Sequence, residues 1–322
     1  MGRDTLVSLA KGFRVIVPQP YEASGFPAAD YDPSQEDAKL VEDAEFRIIP
    51  CAAASASGFT HFLDGSQRSW LAAYHGAYPV YYAHVNAAIL ARDELRQVRG
   101  PIEGRYREYK GLFGYRLSKL DEYADLDRSF GAKSIDQTKN EAPDAVSEFI
   151  QSRISSERGS LEKELGKHFE EGVLLVDGGV GETASSGDER LLVGVVKSHR
   201  RQYFASPERV ERVLNMAPGE RTSVFERGQG HKDEVDVYSW YLRLHRSDSQ
   251  GPMWGTVRVE IPKHPDHLKR VDEISGWILA ERAPLSLPDA RYHRLLYPIR
   301  RVEQYLKARQ LSDVAIRGIL GK

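Results

Sequence analysis

Two Asp-Gly pairs, Asp64-Gly65 and Asp177-Gly178, each follow an apolar run, Phe59 to Leu63 in the first case and Val173 to Val176 in the second. In an α/β sheet, side chains at strand ends gather along one rim, where sites form. Two carboxylates brought together there repel each other, and a bound divalent cation relieves the repulsion. The chain offers neither a cysteine cluster nor a convincing histidine cluster, so oxygen ligands select a hard ion, Mg²⁺ or Mn²⁺. Two such ions about 3.5–4 Å apart serve phosphodiester hydrolysis. A site of that kind needs more than two acids. Glu157 and Glu162 precede Asp177 on one helical segment, and Glu303 lies near the C-terminus. Lys197 and the following Ser198-His-Arg-Arg201 form a basic cluster at a strand end that suits a phosphate. Each feature also has an ordinary reading. Asp-Gly suits a turn, the basic cluster a solvated loop, and Glu303 an exposed helix acid. Tyr74, Tyr78, Tyr81 and Tyr82 suit base stacking or, equally, a strand core.

The elements that must position these residues follow from hydrophobic periodicity. Phe59, His61 and Leu63 alternate as a strand that ends at Asp64, and Tyr78 to Val85 is rich in β-formers. Arg107 to Leu117 supplies a third strand, while Asn86 to Val98 has helical composition and 118–142 reads as a charged surface loop. Pro143 opens a long helix whose apolar residues, Val146, Ile150, Ile154, Leu161 and Leu165 among them, fall near helical spacing, with Gly159 interrupting it. Val173 to Val176 is continuously apolar and is entered from a helix, the mark of a parallel strand covered on both faces. Leu191 to Val196 is the next strand, ending at Lys197. Val237 to Leu244 and Trp254 to Ile261 alternate as a hairpin, and helices over His267 to Glu281 and Pro298 to Arg309 close the chain.

With 322 residues, one large α/β domain with insertions, or one domain plus an appendage, is expected. The 45 Lys+Arg balance 47 Asp+Glu, which excludes coating nucleic acid by bulk charge but leaves room for a local basic groove. The single cysteine, Cys51, excludes an internal disulfide framework and a multi-cysteine zinc site. No stretch approaches the roughly 20 apolar residues of a membrane helix, and Met1 to Pro18, with three dispersed basic residues, does not read as a signal peptide. A soluble protein of a reducing cytoplasm is the expectation.

The order of segments resembles the NurA nuclease family. The residues that carry the resemblance are Leu63-Asp-Gly-Ser66, Val176-Asp-Gly-Gly-Val180, Val193-Gly-Val-Val-Lys197, the hairpin Tyr238 to Leu244 with Val257-Arg-Val-Glu-Ile261, and Tyr297-Pro-Ile-Arg-Arg-Val-Glu303. The resemblance runs from about residue 58 onward. It implies a ribonuclease H-like mixed sheet flanked by helices, with an inserted or appended β-hairpin and C-terminal helices. Residues 51–322 would form the nuclease domain, with an insertion around 205–235, behind an N-terminal extension at 1–50. It further implies a DNA nuclease using two Mn²⁺ or Mg²⁺ ions held by Asp64, Glu157, Asp177 and Glu303, with Glu162 in reserve for Glu157 and Lys197 on the scissile phosphate. The implied assembly is a homodimer docked on a HerA-type hexameric ATPase, working in DNA-end processing or antiviral defence. Gly179 stands where the family usually has Ser, and Glu303 where His or Asp is commoner. Those departures leave open a weakened subunit that only docks the ATPase and DNA. Another ribonuclease H-like nuclease, acting on RNA or hybrids, is the other alternative.

Overall fold

The computed structural model describes residues 37–101, 104–197, 203–227, 235–246, 252–282 and 296–321, and the backbone of 13–20. In chain order the first strands are β1 (Phe13–Pro20), β2 (Ile48–Pro50), β3 (His61–His75), β4 (Tyr78–Arg92), β5 (Val98–Arg99) and β6 (Tyr106–Tyr115). A short helix α1 (Tyr123–Phe130) and strand β7 (Lys133–Ile135) lead to the long helix α2 (Pro143–Lys167). After it come β8 (Leu174–Asp177), β9 (Leu192–Val196), α3 (Pro207–Leu214), β10 (Glu220–Thr222) and β11 (Phe225–Arg227). The chain continues through β12 (Val237–Arg243), β13 (Thr256–Pro262), α4 (Pro265–Leu268), α5 (Val271–Ala280), α6 (Tyr297–Arg309) and α7 (Asp313–Leu320).

All these strands join one mixed sheet, ordered β2-β10-β12-β13-β9-β8-β3-β4-β6-β7, with β1 on β3, β11 on β12 and β5 on β4. Its centre is an antiparallel meander, β3-β4-β6. On the other side of β3 lie β8 and β9, parallel to β3 and to each other. Helices cover both faces. The α5 and α6 residues Ile274, Ile278, Ile299 and Val302 pack on Phe62, Leu90 and Leu175. On the opposite face Leu165, from α2, packs on Leu63, Ile89, Leu174 and Val176. Adjacent residues of β3 and β8 therefore point into different cores, as a pleated strand requires.

The mixed α/β sheet, the buried β8, the β12–β13 hairpin and the terminal helices agree with the sequence reading. Several expectations do not. Residues 86–92, expected to be helical, continue β4, because Ala87 to Leu90 are buried and pair with β3, and Ala87 and Ala88 also pair with β6. The expected loop 118–142 contains α1 and β7, which add an edge to the sheet. Gly159 does not interrupt α2, and the expected helix 267–281 is two helices, α4 and α5. The first Asp-Gly pair is neither a strand end nor a turn: β3 runs straight through it for 15 residues.

Two segments, one before residue 51 and one around 204–227, pack on each other. Phe46 meets Phe204, Val213, Met216, Phe225 and Tyr241 in a separate small core, and β2 pairs with β10 at the sheet edge. Among the described residues, no helix is long and apolar enough to cross a membrane.

Candidate metal centre

The rim of the site is the fork where β3 parts from β8. The last paired residues are Leu63 and Val176, so the next residue on each strand, Asp64 and Asp177, stands beside the other. Both follow the pleat onto the face covered by α5 and α6, since Phe62 and Leu175 lie in that core. Helix α6 brings Glu303 to them. One ligand oxygen from each of Asp64, Asp177 and Glu303 lies within 4.8 Å of the others, so this group could hold a metal ion.

The position of Glu303 depends on how α6 is pinned to the meander. Asn86, wholly buried on β4, donates Nδ2–H to the Leu306 carbonyl at 3.2 Å. Its neighbour His84 accepts the Leu311 N–H on Nδ1 at 3.2 Å. That leaves the Nε2 proton to face Glu108, also at 3.2 Å. Burial pushes the His84 pKa down, with Lys110 adding to the effect. Gln310 Nε2 donates to Ser66 Oγ, two residues beyond Asp64, at 2.6 Å.

A fourth acid enters from the opposite face. Glu162, on α2, reaches the sheet at Gly65, where any Cβ would collide with its Oε1. The glycine of the first Asp-Gly pair thus leaves room on the face of the sheet for a carboxylate. The register of α2 is held from its far end by Arg190, whose Nη1 donates to the Gly166, Lys167 and Phe169 carbonyls at 2.8–3.1 Å and so caps the helix. Asp188 clamps that guanidinium with both oxygens, at 2.6 and 2.8 Å.

Electrostatically the group is unbalanced. Asp64 is buried and accepts a hydrogen bond from the Gly65 N–H, at 2.8 Å. Burial pushes its pKa well above the ordinary carboxylate range. The Asp177 charge adds to that, Lys197 opposes it, and Glu162 and Glu303 add further. Glu162 is pushed up to about 7, first by burial and then by Asp177 and Glu182, with Arg158 and the Gly65 N–H pulling it back. The three outer acids each have a cation alongside. Lys197 Nζ donates to Asp177 Oδ2 at 2.6 Å, Lys307 Nζ lies 3.3 Å from Glu303 Oε2, and Arg158 Nε lies 3.7 Å from Glu162 Oε1.

Of the residues singled out in the sequence, Asp64, Asp177, Glu303 and Lys197 come together. Glu157 does not join them. It lies on a different side of α2, in an ion pair with Lys133, whose Nζ sits over the Tyr109 ring, and Glu162, the reserve, is the α2 acid nearer the group. The cluster Ser198 to Arg201 lies outside the described residues. Tyr81 and Tyr82 are core residues and Tyr78 packs edge-on against Tyr115, so these rings are not a stacking platform.

The second Asp-Gly pair does end its strand. Gly178 has φ +129°, a conformation that side chains disfavour. Gly179 has a packing cause: a Cβ there would lie 2.6 Å from Oε2 of Glu260. Glu260, on β13, is almost wholly buried, takes Arg227 and Arg258 on Oε1, and accepts the Val180 N–H at 3.0 Å on Oε2. Sequence reasoning assigned no role to this cluster. Its signal was present: Arg258 and Glu260 alternate within a strand that is otherwise apolar and buried throughout, and buried charges come paired.

Neither a protein-family model nor a curated protein matches the chain.

Proposed function

We propose that the chain is a metal-dependent nuclease of ribonuclease H-like fold, similar to the NurA family, that hydrolyses phosphodiester bonds in DNA. The observation that carries this reading is the convergence of Asp64, Asp177 and Glu303, from three distant parts of the chain, onto one point of the sheet, with Glu162 packed against Gly65 close enough to act on the charge of Asp64. The donor set fits Mn²⁺ or Mg²⁺, because it is all carboxylate and holds a buried acid whose ionised form has too little counter-charge around it. Two such ions, when bound, supply an activated water and neutralise charge at the phosphate. Asp64 and Asp177 would be shared or principal ligands, and Glu162 and Glu303 would complete the two positions. Lys197, already on Asp177, would steady the scissile phosphate. The sheet supports the fold assignment: a three-stranded meander, then a helix, then two parallel strands on the far side of the first strand.

The packing of Gly179 against Glu260 removes one of the two reasons for reading the chain as a decayed subunit. A homodimer and a HerA-type hexameric ATPase that feeds DNA to the site are proposed from the family resemblance alone. Binding of such an ATPase in a sedimentation experiment tests that part separately.

The test of activity is Mn²⁺-dependent cleavage of linear DNA by the wild type, Asp64→Asn and Asp177→Asn, with an EDTA control. Loss in both variants is expected. Full cleavage by both would overturn the site.

A further inference from the structure

A cleft of about 350 Å³ opens beside Asp177. Its floor is the end of β8 and the turn Gly178-Gly179, with Gly181. One wall is α2, carrying Arg158 and Glu162, and the other carries Arg227, Arg258 and Glu260. The floor is bare backbone by necessity, since a Cβ at 179 or 181 would strike Glu260 or Arg227. Bare backbone lets the oxygens of a ligand come close.

Two guanidinium groups on the walls, those of Arg158 and Arg258, have donors that are only partly used. Among the described residues, the hydrogen bonds of Arg258 all leave from Nη1, to Glu260 and, at 3.5 Å, to Ser239 Oγ. Its face rests on the Tyr203 ring, 4.8 Å from the centroid. The rest of its donor fork is uncommitted. Across the cleft, Arg158 Nε is buried without a hydrogen-bond partner, because its 3.7 Å separation from Glu162 is too long for a hydrogen bond. A guanidinium offers five N–H donors in a planar fork that matches the oxygens of a phosphate. Two of them on opposite walls, above a glycine floor and next to the acid group, make an anion site of the size at which small-molecule pockets begin, roughly 300 Å³.

We infer that this cleft holds a phosphate of the nucleic-acid strand adjacent to the one at the acid group, between Arg158 and Arg258. The inference rests on the nuclease reading and names a substrate subsite for it. The same chemistry serves an internal phosphodiester and the terminal phosphate of a nucleotide product.

The test is calorimetric titration of the full chain in EDTA, so that no divalent ion bridges ligand to protein. The probes are thymidine 5′-monophosphate, the dinucleotide TpT with no terminal phosphate, and thymidine. Binding of the monophosphate, of TpT or of both is expected, with none by thymidine. TpT binding assigns the site to an internal phosphodiester, and binding of the monophosphate alone assigns it to a strand end. Arg158→Gln and Arg258→Gln should each weaken binding at least about tenfold, the scale of one charge-assisted hydrogen bond. Arg158 lies on the outer part of a helix, so its variant remains informative if Arg258→Gln fails to fold. Unchanged affinity in Arg158→Gln, equal binding of thymidine, or no binding of either phosphate would overturn the inference. A Mn²⁺ titration and cleavage assay on the same preparations separates the two readings. Mn²⁺-dependent cleavage without phosphate binding sinks the cleft alone, and phosphate binding without Mn²⁺-dependent cleavage sinks the nuclease alone.

Discussion

Arg221 and Asp64 are both ionisable side chains buried in the same sheet, and their surroundings are opposites. Arg221 is 1% exposed. Its donors are met by both oxygens of Glu42 at 2.6 and 2.8 Å, by Asp272 at 2.7 Å and by the Thr222 carbonyl at 3.0 Å. Burial works against its charge, but the hydrogen bonds and charges of Glu42 and Asp272 outweigh that, and its pKa goes up. Asp64 is 6% exposed, and its neighbours Asp177, Glu162 and Glu303 carry its own sign. There burial and the three acids push the same way, toward the neutral form, against the opposing charge of Lys197. The Arg221 cluster is satisfied by the protein itself, as a structural buried charge must be. The Asp64 cluster is met less completely by the protein, the pattern expected of a group that could hold a metal ion.

The contrast breaks if the two clusters respond alike to mutation. Removing Arg221 takes away several charge-assisted hydrogen bonds and leaves Glu42 unpaired beside the β2–β10 edge, while Asp272 is exposed, so Arg221→Ala should cost about 2–3 kcal/mol in urea unfolding. Mn²⁺ affinity of the folded fraction should stay unchanged. Asp64→Asn should do the reverse. Cleavage should fall on the order of 10²–10³-fold, while the melting temperature of the metal-free protein stays level or rises, because a like-charge repulsion is gone. A lower melting temperature in EDTA would make Asp64 a structural residue after all.

Acidity sharpens the same comparison. The folded pKa of Glu162, about 7, lies above its unfolded value of 4.5. Between those values the folded state binds more protons than the unfolded one, so metal-free stability should fall as pH rises through the window. The Glu162 share of the fall should be on the order of 2 kcal/mol and should be missing in Glu162→Gln, which keeps the fall of the same sign that comes from Asp64. Mn²⁺ binding, which needs the ionised acids, should strengthen over the same range. A flat stability profile from pH 4.5 to 7 would remove the frustration argument. The smallest effect is expected at the other helix acid: Glu157→Gln should keep cleavage within about twofold, as its pairing with Lys133 is partly exposed. A loss comparable to that of Glu162→Gln would reverse the assignment of the two.

How much of this could be read from the chain depends on the range of each interaction. The helix opened by Pro143, the apolar run before Asp177 and the alternation of Val237 to Leu244 are local patterns, and the structure follows them. The end of β3 was not legible. Asp64-Gly65 has the composition of a turn, and only the partners on both sides of β3 carry the strand past it. Residues 86–92 misled in the same way, because alanines and leucines buried from two faces have the composition of a helix. Gly65 and Gly179 looked like turn residues, yet their reason lies in Glu162 and Glu260, far away in sequence.

By itself the sequence determined that acids, not cysteines, would hold any ion, and that Asp64, Asp177, Lys197 and Glu303 were the residues to watch. Residue type sets coordination chemistry wherever the chain goes. Only the tertiary structure decided which acid of α2 joins them. Glu157 and Glu162 are five residues apart, about 140° around a helix, and both flank its buried face. The docking of α2 by Arg190 and the missing Cβ of Gly65 put one of them at the sheet. That is a fact of packing, which no local pattern encodes.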